Sequence, residues 1–164
     1  MSLSNSNSSH QEAVETVRKL IKGIDTAMLT TISAEGLVSR PMKTQEVEFD
    51  GELWFLTKKD TSKFEEILHD PRVNVIYADK SYVSIRGTAK FVGDLDKKKE
   101  FWNAGYEAFL QTSYDDPEVI LIRVRAEAAE YWKSGNLAEK VTYLFKRITN
   151  QDTEQSNLNQ TIEL

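Results

Sequence analysis

Two short polar segments hold the residues best suited to chemistry. The first is Thr57-Lys58-Lys59-Asp60-Thr61-Ser62-Lys63, which leaves the apolar stretch Leu53-Trp54-Phe55-Leu56 and opens a helical pattern. A helix start presents free backbone N–H groups and the positive end of the helix dipole. Hydroxyls and lysines beside it complete a site for an anion such as a phosphate. Ordinary capping also accounts for these residues: Asp60, Thr61 or Ser62 caps the helix and the lysines are solvated. The second segment is Ser39-Arg40-Pro41-Met42-Lys43-Thr44-Gln45. It is too polar for a buried strand, yet it sits where a strand is expected. With side chains alternating, Arg40, Met42 and Thr44 share one face, and Lys43 and Gln45 the other. Alone, this segment reads as a solvated edge strand. Two such segments in one small domain, each with cationic and hydroxyl groups, point to one anionic ligand shared between them.

Other chemistries find little support. The chain has no cysteine, which excludes disulfides, thiolate metal sites and cysteine nucleophiles. Its two histidines, His10 and His69, sit beside no nucleophile motif, and they are too few for a histidine-rich metal site. No glycine-rich phosphate loop is present. Trp102, Tyr106, Phe109, Tyr114, Tyr131 and Trp132 make the second half rich in aromatics. Such stripes are usually core or subunit interface, although a planar ligand would also use them.

The elements that must position these residues can be read from periodicity. Val14, Val17, Leu20 and Ile21 share one face of a helix over residues 11–22, which Gly23 stops. Strands follow at 27–32 and 37–49, the second holding Pro41 and therefore suited to an edge. Asp50-Gly51 is the strongest hairpin turn, before a strand at 53–57. Residues 61–70 read as helix, with Ser62 and Glu65 at capping-box spacing. Strands are expected at 73–77 and 82–92, the latter alternating Val83, Ile85, Ala89 and Phe91. Asp94 should cap a helix reaching about Leu110, and the last strand spans 119–132. Leu137, Val141, Leu144, Phe145 and Ile148 mark an amphipathic C-terminal helix. About six strands with hairpins and peripheral helices make the fold mainly β, a mostly antiparallel barrel.

The chain has 164 residues, 40% of them hydrophobic, and a net charge of −5, which suits one globular domain and disfavours nucleic acid as a partner. The triplet Lys97 to Lys99 reads as a solvated helix face. No apolar run is long enough for a bilayer, so no membrane partner is expected and the cytoplasm is the default. Residues 1–9 are rich in Ser and Asn and read as a disordered arm. Residues 10–148 form the domain, and 149–164 read as a polar, disordered tail.

The segments in this order resemble the FMN-binding split-barrel family that includes pyridoxamine 5'-phosphate oxidase. The likeness covers about residues 14–132. It is carried by Arg40-Pro41-Met42-Lys43, Leu53 to Thr57, Ser62-Lys63, Asp70-Pro71-Arg72-Val73-Asn74-Val75, and Tyr82-Val83-Ser84-Ile85-Arg86-Gly87-Thr88-Ala89. Phe101-Trp102-Asn103, Asp115-Asp116-Pro117 and Ala129-Glu130-Tyr131-Trp132 are similar to the general stress protein 26 branch. The resemblance implies a six-stranded antiparallel split β-barrel and a homodimer with flavin sites at the interface. It implies FMN, with FAD as the alternative, its phosphate near Arg40, Thr57, Ser62 and Lys63. The ring would lie against Pro41, Met42, Lys43, Thr44 and Gln45 and against Phe55, Leu56 and Thr57, with Tyr82 nearby. Trp102, Phe109 or Trp132 would come from the partner subunit. Two departures stand out. Trp132 is followed by Lys133-Ser134-Gly135-Asn136, not by the Arg-Leu-His that holds the substrate phosphate in pyridoxamine phosphate oxidases. The Phe-Pro-x-Gly stretch usual in the stress-protein branch is replaced by Phe109-Leu110-Gln111-Thr112. The expected function is a flavin-binding stress protein, an FMN-dependent oxidoreductase or a non-catalytic flavin-binding or buffering module, rather than a vitamin B6 oxidase. A barrel that has switched to deazaflavin or haem is a third reading.

Overall fold

Alternating apolar residues build most of the sheet. In the strand Ser81–Val92, Val83, Ile85, Gly87 and Ala89 are buried while Tyr82, Arg86 and Lys90 face out. The structure, a computed structural model, describes residues 2–45, 49–133 and 160–163. In chain order these form α1 (Ser2–Ile21), β1 (Thr26–Ser33), β2 (Gly36–Lys43), β3 (Glu52–Lys58) and α2 (Ser62–His69). They continue with β4 (Arg72–Ala78), β5 (Ser81–Val92), α3 (Leu95–Phe101), α4 (Ala104–Leu110), β6 (Val119–Lys133) and β7 (Gln160–Glu163). Six antiparallel strands run in the order β2-β1-β4-β5-β6-β3 and curl into a split half-barrel. The two ends of this path, β2 and β3, approach each other without a hydrogen-bonded ladder. Pro41 therefore sits on an edge strand, where its missing N–H is not needed.

The core fills the curl. Leu29, Val75, Val83 and Ile85 are fully buried, and Ala13, Val14 and Val17 of α1 and Ile67 of α2 join the same cluster. Each large side chain so buried contributes about 1.5–3 kcal/mol. A second cluster covers the outer face of β3 and β6, where Leu56 and Leu121 meet Phe101 and Tyr106. Residues 119–122 of β6 are consequently buried on both faces, which explains their unbroken apolar run. Gly87 stands at a register shift of the β5–β6 ladder. A Cβ there would lie 2.4 Å from the Arg125 carbonyl oxygen, so only glycine fits.

Several expectations are corrected. Asp50-Gly51 turns the chain, with Gly51 at φ 109°, but closes no hairpin, because β3 pairs with β6 rather than β2. The helix expected at 94–110 is broken at Trp102. Asn103 caps a new helix by accepting from Tyr106 N at 3.1 Å, and such a local bond competes with helix continuation. Lys98 is not solvated: it is 6% exposed, and its Nζ donates to Val119 O at 3.1 Å, the partner a buried ammonium needs. Helix α1 begins at Ser2, well before its apolar stripe, because extending a helix from docked turns is far easier than nucleating one. In the expected polar tail, Gln160–Glu163 pairs with Ala128 to Tyr131 of β6, beyond the stretch that β3 occupies. The expected C-terminal helix at 137–148 lies outside the described residues. Among the described residues no helix is long and apolar enough to cross a membrane.

Candidate functional site

Where β3 hands over to α2, the chain is pinned before it turns. Lys59 N donates to Glu118 O at 2.8 Å, and the Thr61 hydroxyl donates back to Lys58 O at 2.8 Å. Thr61 occupies the N-cap position, but its side chain makes no capping bond. The expected capping box of Ser62 and Glu65 is therefore not what closes this helix. The first turn of α2 keeps N–H groups without a side-chain cap, at the positive end of its dipole.

Beside that helix start lies a cavity of about 280 Å³. Pro41 and Met42 from β2 form one wall, and Leu56, Thr57 and Lys58 from β3 another. Thr61 and Lys63 stand at the α2 end, and Phe109 and Leu110 of α4 cover the side. The cavity thus lies over the split between the two unpaired strands. Thr57 is 2% exposed, a buried hydroxyl at the mouth of the barrel. Burial, and then the neighbouring Arg40 cation, push the Lys63 ammonium below the ordinary lysine range; Asp60 and Glu66 pull the other way. An anion in the cavity would offset both of the first two effects.

A larger cavity of about 420 Å³ opens further along the same split. Thr44 and Gln45 continue β2 into its wall, and Leu53 and Trp54 face them from β3. Ile21, Ile24, Phe49 and Tyr77 supply apolar surface, and Arg18, Lys22, Asp25 and Glu52 are charged groups in its wall. The Arg18 guanidinium is already engaged, its Nε donating to Phe49 O at 2.8 Å. Gln45 Nε2 is buried, and the Tyr106 hydroxyl is the group its side chain approaches. From Pro41 to Gln45 the extended backbone covers about 13 Å.

Lys43 lies between the two cavities. Its carbonyl accepts from the Tyr106 hydroxyl at 2.6 Å, and its Nζ stands 5.9 Å from the centre of the Tyr106 ring. Burial raises both the Tyr106 and the Tyr77 phenol above the ordinary tyrosine range, so both stay neutral donors.

The structure brings together Pro41, Met42, Leu56, Thr57 and Lys63 of the residues expected from the sequence, and places Thr44 and Gln45 at the adjoining cavity. Ser62 is exposed beside the first cavity without lining it. Phe55 is 1% exposed and belongs to the barrel core. Arg40 is diverted: its guanidinium bonds Glu66 Oε2 at 2.7 Å and Thr31 Oγ1 at 2.5 Å. Tyr82 and Trp132 are cross-strand neighbours on β5 and β6 and line neither cavity. Leu110 of the same chain also lines the cavity, a place set by the helix break that aims α4, which the apolar pattern of the sequence does not show. Lys58 and Thr61 were within the polar run that drew attention to the site. Among the described residues no cluster of three or more His, Asp or Glu side chains is arranged to hold a metal ion.

Comparison with known proteins agrees with this architecture. No curated protein matches the chain. The chain is similar to the general stress FMN/FAD binding protein of the phytopathogen Xanthomonas citri, at 26% identity over 83% of this chain and 99% of that one, with a TM-score of 0.66. The general stress protein 26 of Bacillus anthracis matches at 24% identity, over 73% of this chain and 91% of that one, with a TM-score of 0.63. A Clostridium acetobutylicum protein related to general stress protein 26 shares the fold at 18% identity, over 74% and 89% of the two chains, with a TM-score of 0.65. The family model for pyridoxamine 5'-phosphate oxidase like proteins matches residues 12–156, and the chain belongs to that family.

Proposed function

We propose that this protein binds FMN along the split between β2 and β3. The observation that carries the reading is the small cavity where Lys63, Thr57, Thr61 and the uncapped start of α2 converge. A phosphate there would meet a cation, the Thr57 hydroxyl and backbone N–H groups. The reading runs the ligand from this end along β2 toward Thr44 and Gln45. The buried Gln45 side chain, which approaches the Tyr106 hydroxyl, is a donor suited to a carbonyl oxygen of a flavin ring, and the apolar wall suits the ring itself. The FMN/FAD binding neighbour from Xanthomonas citri supports the ligand class. FMN is favoured over FAD because the cavity end holding Lys63 is small; FAD is the alternative.

Bound flavin would supply hydride and electron transfer, and the chain would supply binding, orientation and electrostatics. The Lys63 ammonium neutralises the phosphate, Thr57 donates its hydroxyl, and Tyr106 holds the β2 backbone at Lys43 in place. We assign no catalytic residue. A flavin-dependent oxidoreductase and a flavin-buffering module share this site, and turnover of NADH or NADPH with an electron acceptor separates them.

The proposed assembly is a homodimer. Pro41, Met28 and Ile76 lie side by side across β2, β1 and β4, and Ala78, Tyr82 and Trp132 continue the same outer face. Met28, Ile76 and Tyr82 are exposed there. Such a contiguous apolar face is what a second copy would cover. The function is tested by the visible absorption of the purified protein and by titration with FMN. A flavin spectrum or saturable quenching of FMN fluorescence is the expected result. A colourless protein that ignores FMN and FAD would overturn it.

A further inference from the structure

One edge of β6 carries two different partners. β5 takes the other edge from Leu121 to Lys133, while β3 pairs with Val119 to Arg125 and β7 pairs antiparallel with Ala128 to Tyr131. The short strand thus closes the part of the edge that β3 leaves open. It also touches α1, which packs on β5.

Helix α1 is seated in the main core by Ala13, Val14 and Val17. Its last turn is a wall of the larger cavity: Arg18, Lys19, Ile21 and Lys22 line it, and Gly23, at φ 79°, ends the helix there. A helix shifts as a rigid element, so a contact that holds α1 to the sheet also sets the position of that wall. Contacts therefore run without a gap from β7 through α1 to the cavity.

The hold of β7 is of a different kind from the barrel ladders. It spans four residues, where β3 shares seven pairs with β6. Residues 134–159 separate it from β6 in sequence, and closing so long a loop opposes the pairing. A ladder this short opens locally while the barrel stays folded. The strand also lies beyond residues 12–156, which the family model matches.

We propose that β7 is a strap that regulates entry to the larger cavity. Paired with β6, it holds α1 against the sheet, and the last turn of α1 closes the cavity wall. Released, it lets α1 shift and the cavity open, with the barrel ladders intact. The strap stands on these contacts; only the ligand whose entry it governs rests on the flavin reading above.

The test compares the wild-type protein with a chain ending at Asn159 and with a full-length variant carrying Thr161→Pro and Ile162→Pro. Of two neighbouring strand residues, one N–H faces the partner strand, so the double proline breaks the ladder and keeps the chain length. Amide hydrogen exchange reads the wall directly along residues 17–24, where the Lys22 and Ile24 N–H groups donate to Arg18 O and Ile21 O at 3.2 Å. Under the strap, both variants exchange about fivefold faster or more along residues 17–24, while the β4–β5 ladder exchanges at the wild-type rate. FMN association and dissociation both speed up. Wild-type exchange along residues 17–24 in either variant overturns the proposal. Faster exchange throughout the barrel does so too, because β7 would then be part of the fold and not a strap. Unchanged FMN rates beside a loosened wall overturn it as well. If the wild-type protein binds no FMN, the flavin reading fails on its own, and exchange along residues 17–24 decides the strap.

Discussion

Lys63 carries its charge against its surroundings, because burial and the Arg40 cation both disfavour an ammonium at that point. Glu66 is the opposite case. The Thr31 hydroxyl, and then Arg40, hold its carboxyl below the ordinary glutamate range. A carboxylate depressed in the folded state stabilises the fold above its unfolded value, and that stability is lost as pH falls through the folded value. Glu66→Gln should therefore flatten the loss of stability as pH falls below the ordinary glutamate value of about 4.3, read by urea unfolding at each pH. An unchanged slope would mean that the carboxylate is not engaged in solution. The anion-binding character of residues 57–63 was legible in the sequence because a whole motif is local. The engagement of Arg40 was not, since its partner lies 26 residues away on another element. The sequence offers only an arginine on a strand, equally suited to a phosphate or to a carboxylate.

At the scale of elements, the site depends on two hand-overs, β3 into α2 and α3 into α4. The first was readable from the apolar strand followed by hydroxyls. The second was not, because a continuous amphipathic pattern runs through residues 94–110 and only the Asn103 cap interrupts it. That break aims Tyr106 at the β2 backbone and brings Phe109 and Leu110 to the cavity. Tyr106→Phe should remove the bond to Lys43 O and lower stability by about 1 kcal/mol. It should also loosen the α4 wall, which is checked by thermal melting together with flavin affinity. The β5–β6 ladder makes a sharper demand. Gly87→Ala would drive a methyl group into the Arg125 carbonyl and should cost about 1–3 kcal/mol, read as a lowered melting temperature. A neutral result would show that the register shift relaxes easily.

At the scale of the molecule, the alternation of β1, β4 and β5 made a mainly antiparallel barrel legible, and Pro41 marked the edge strand. The strand order was beyond local pattern: Asp50-Gly51 reads as a hairpin, yet β3 crosses to the far end of the sheet to pair with β6. That crossing leaves β2 and β3 without a ladder to each other and creates the split in which both cavities lie. The outer face of Met28, Ile76 and Tyr82 makes a separate demand. Met28→Glu with Ile76→Glu should convert a dimer into a monomer in sedimentation velocity, and a wild-type monomer would remove the dimer from the account. The proposed flavin binding stands on a phosphate in the cavity beside α2. Its most direct test is the affinity for FMN and for riboflavin in the wild-type protein and in Lys63→Ala. FMN binding should weaken by about tenfold to a hundredfold while riboflavin binding barely changes. Equal losses for both ligands, or none for either, would contradict the assignment.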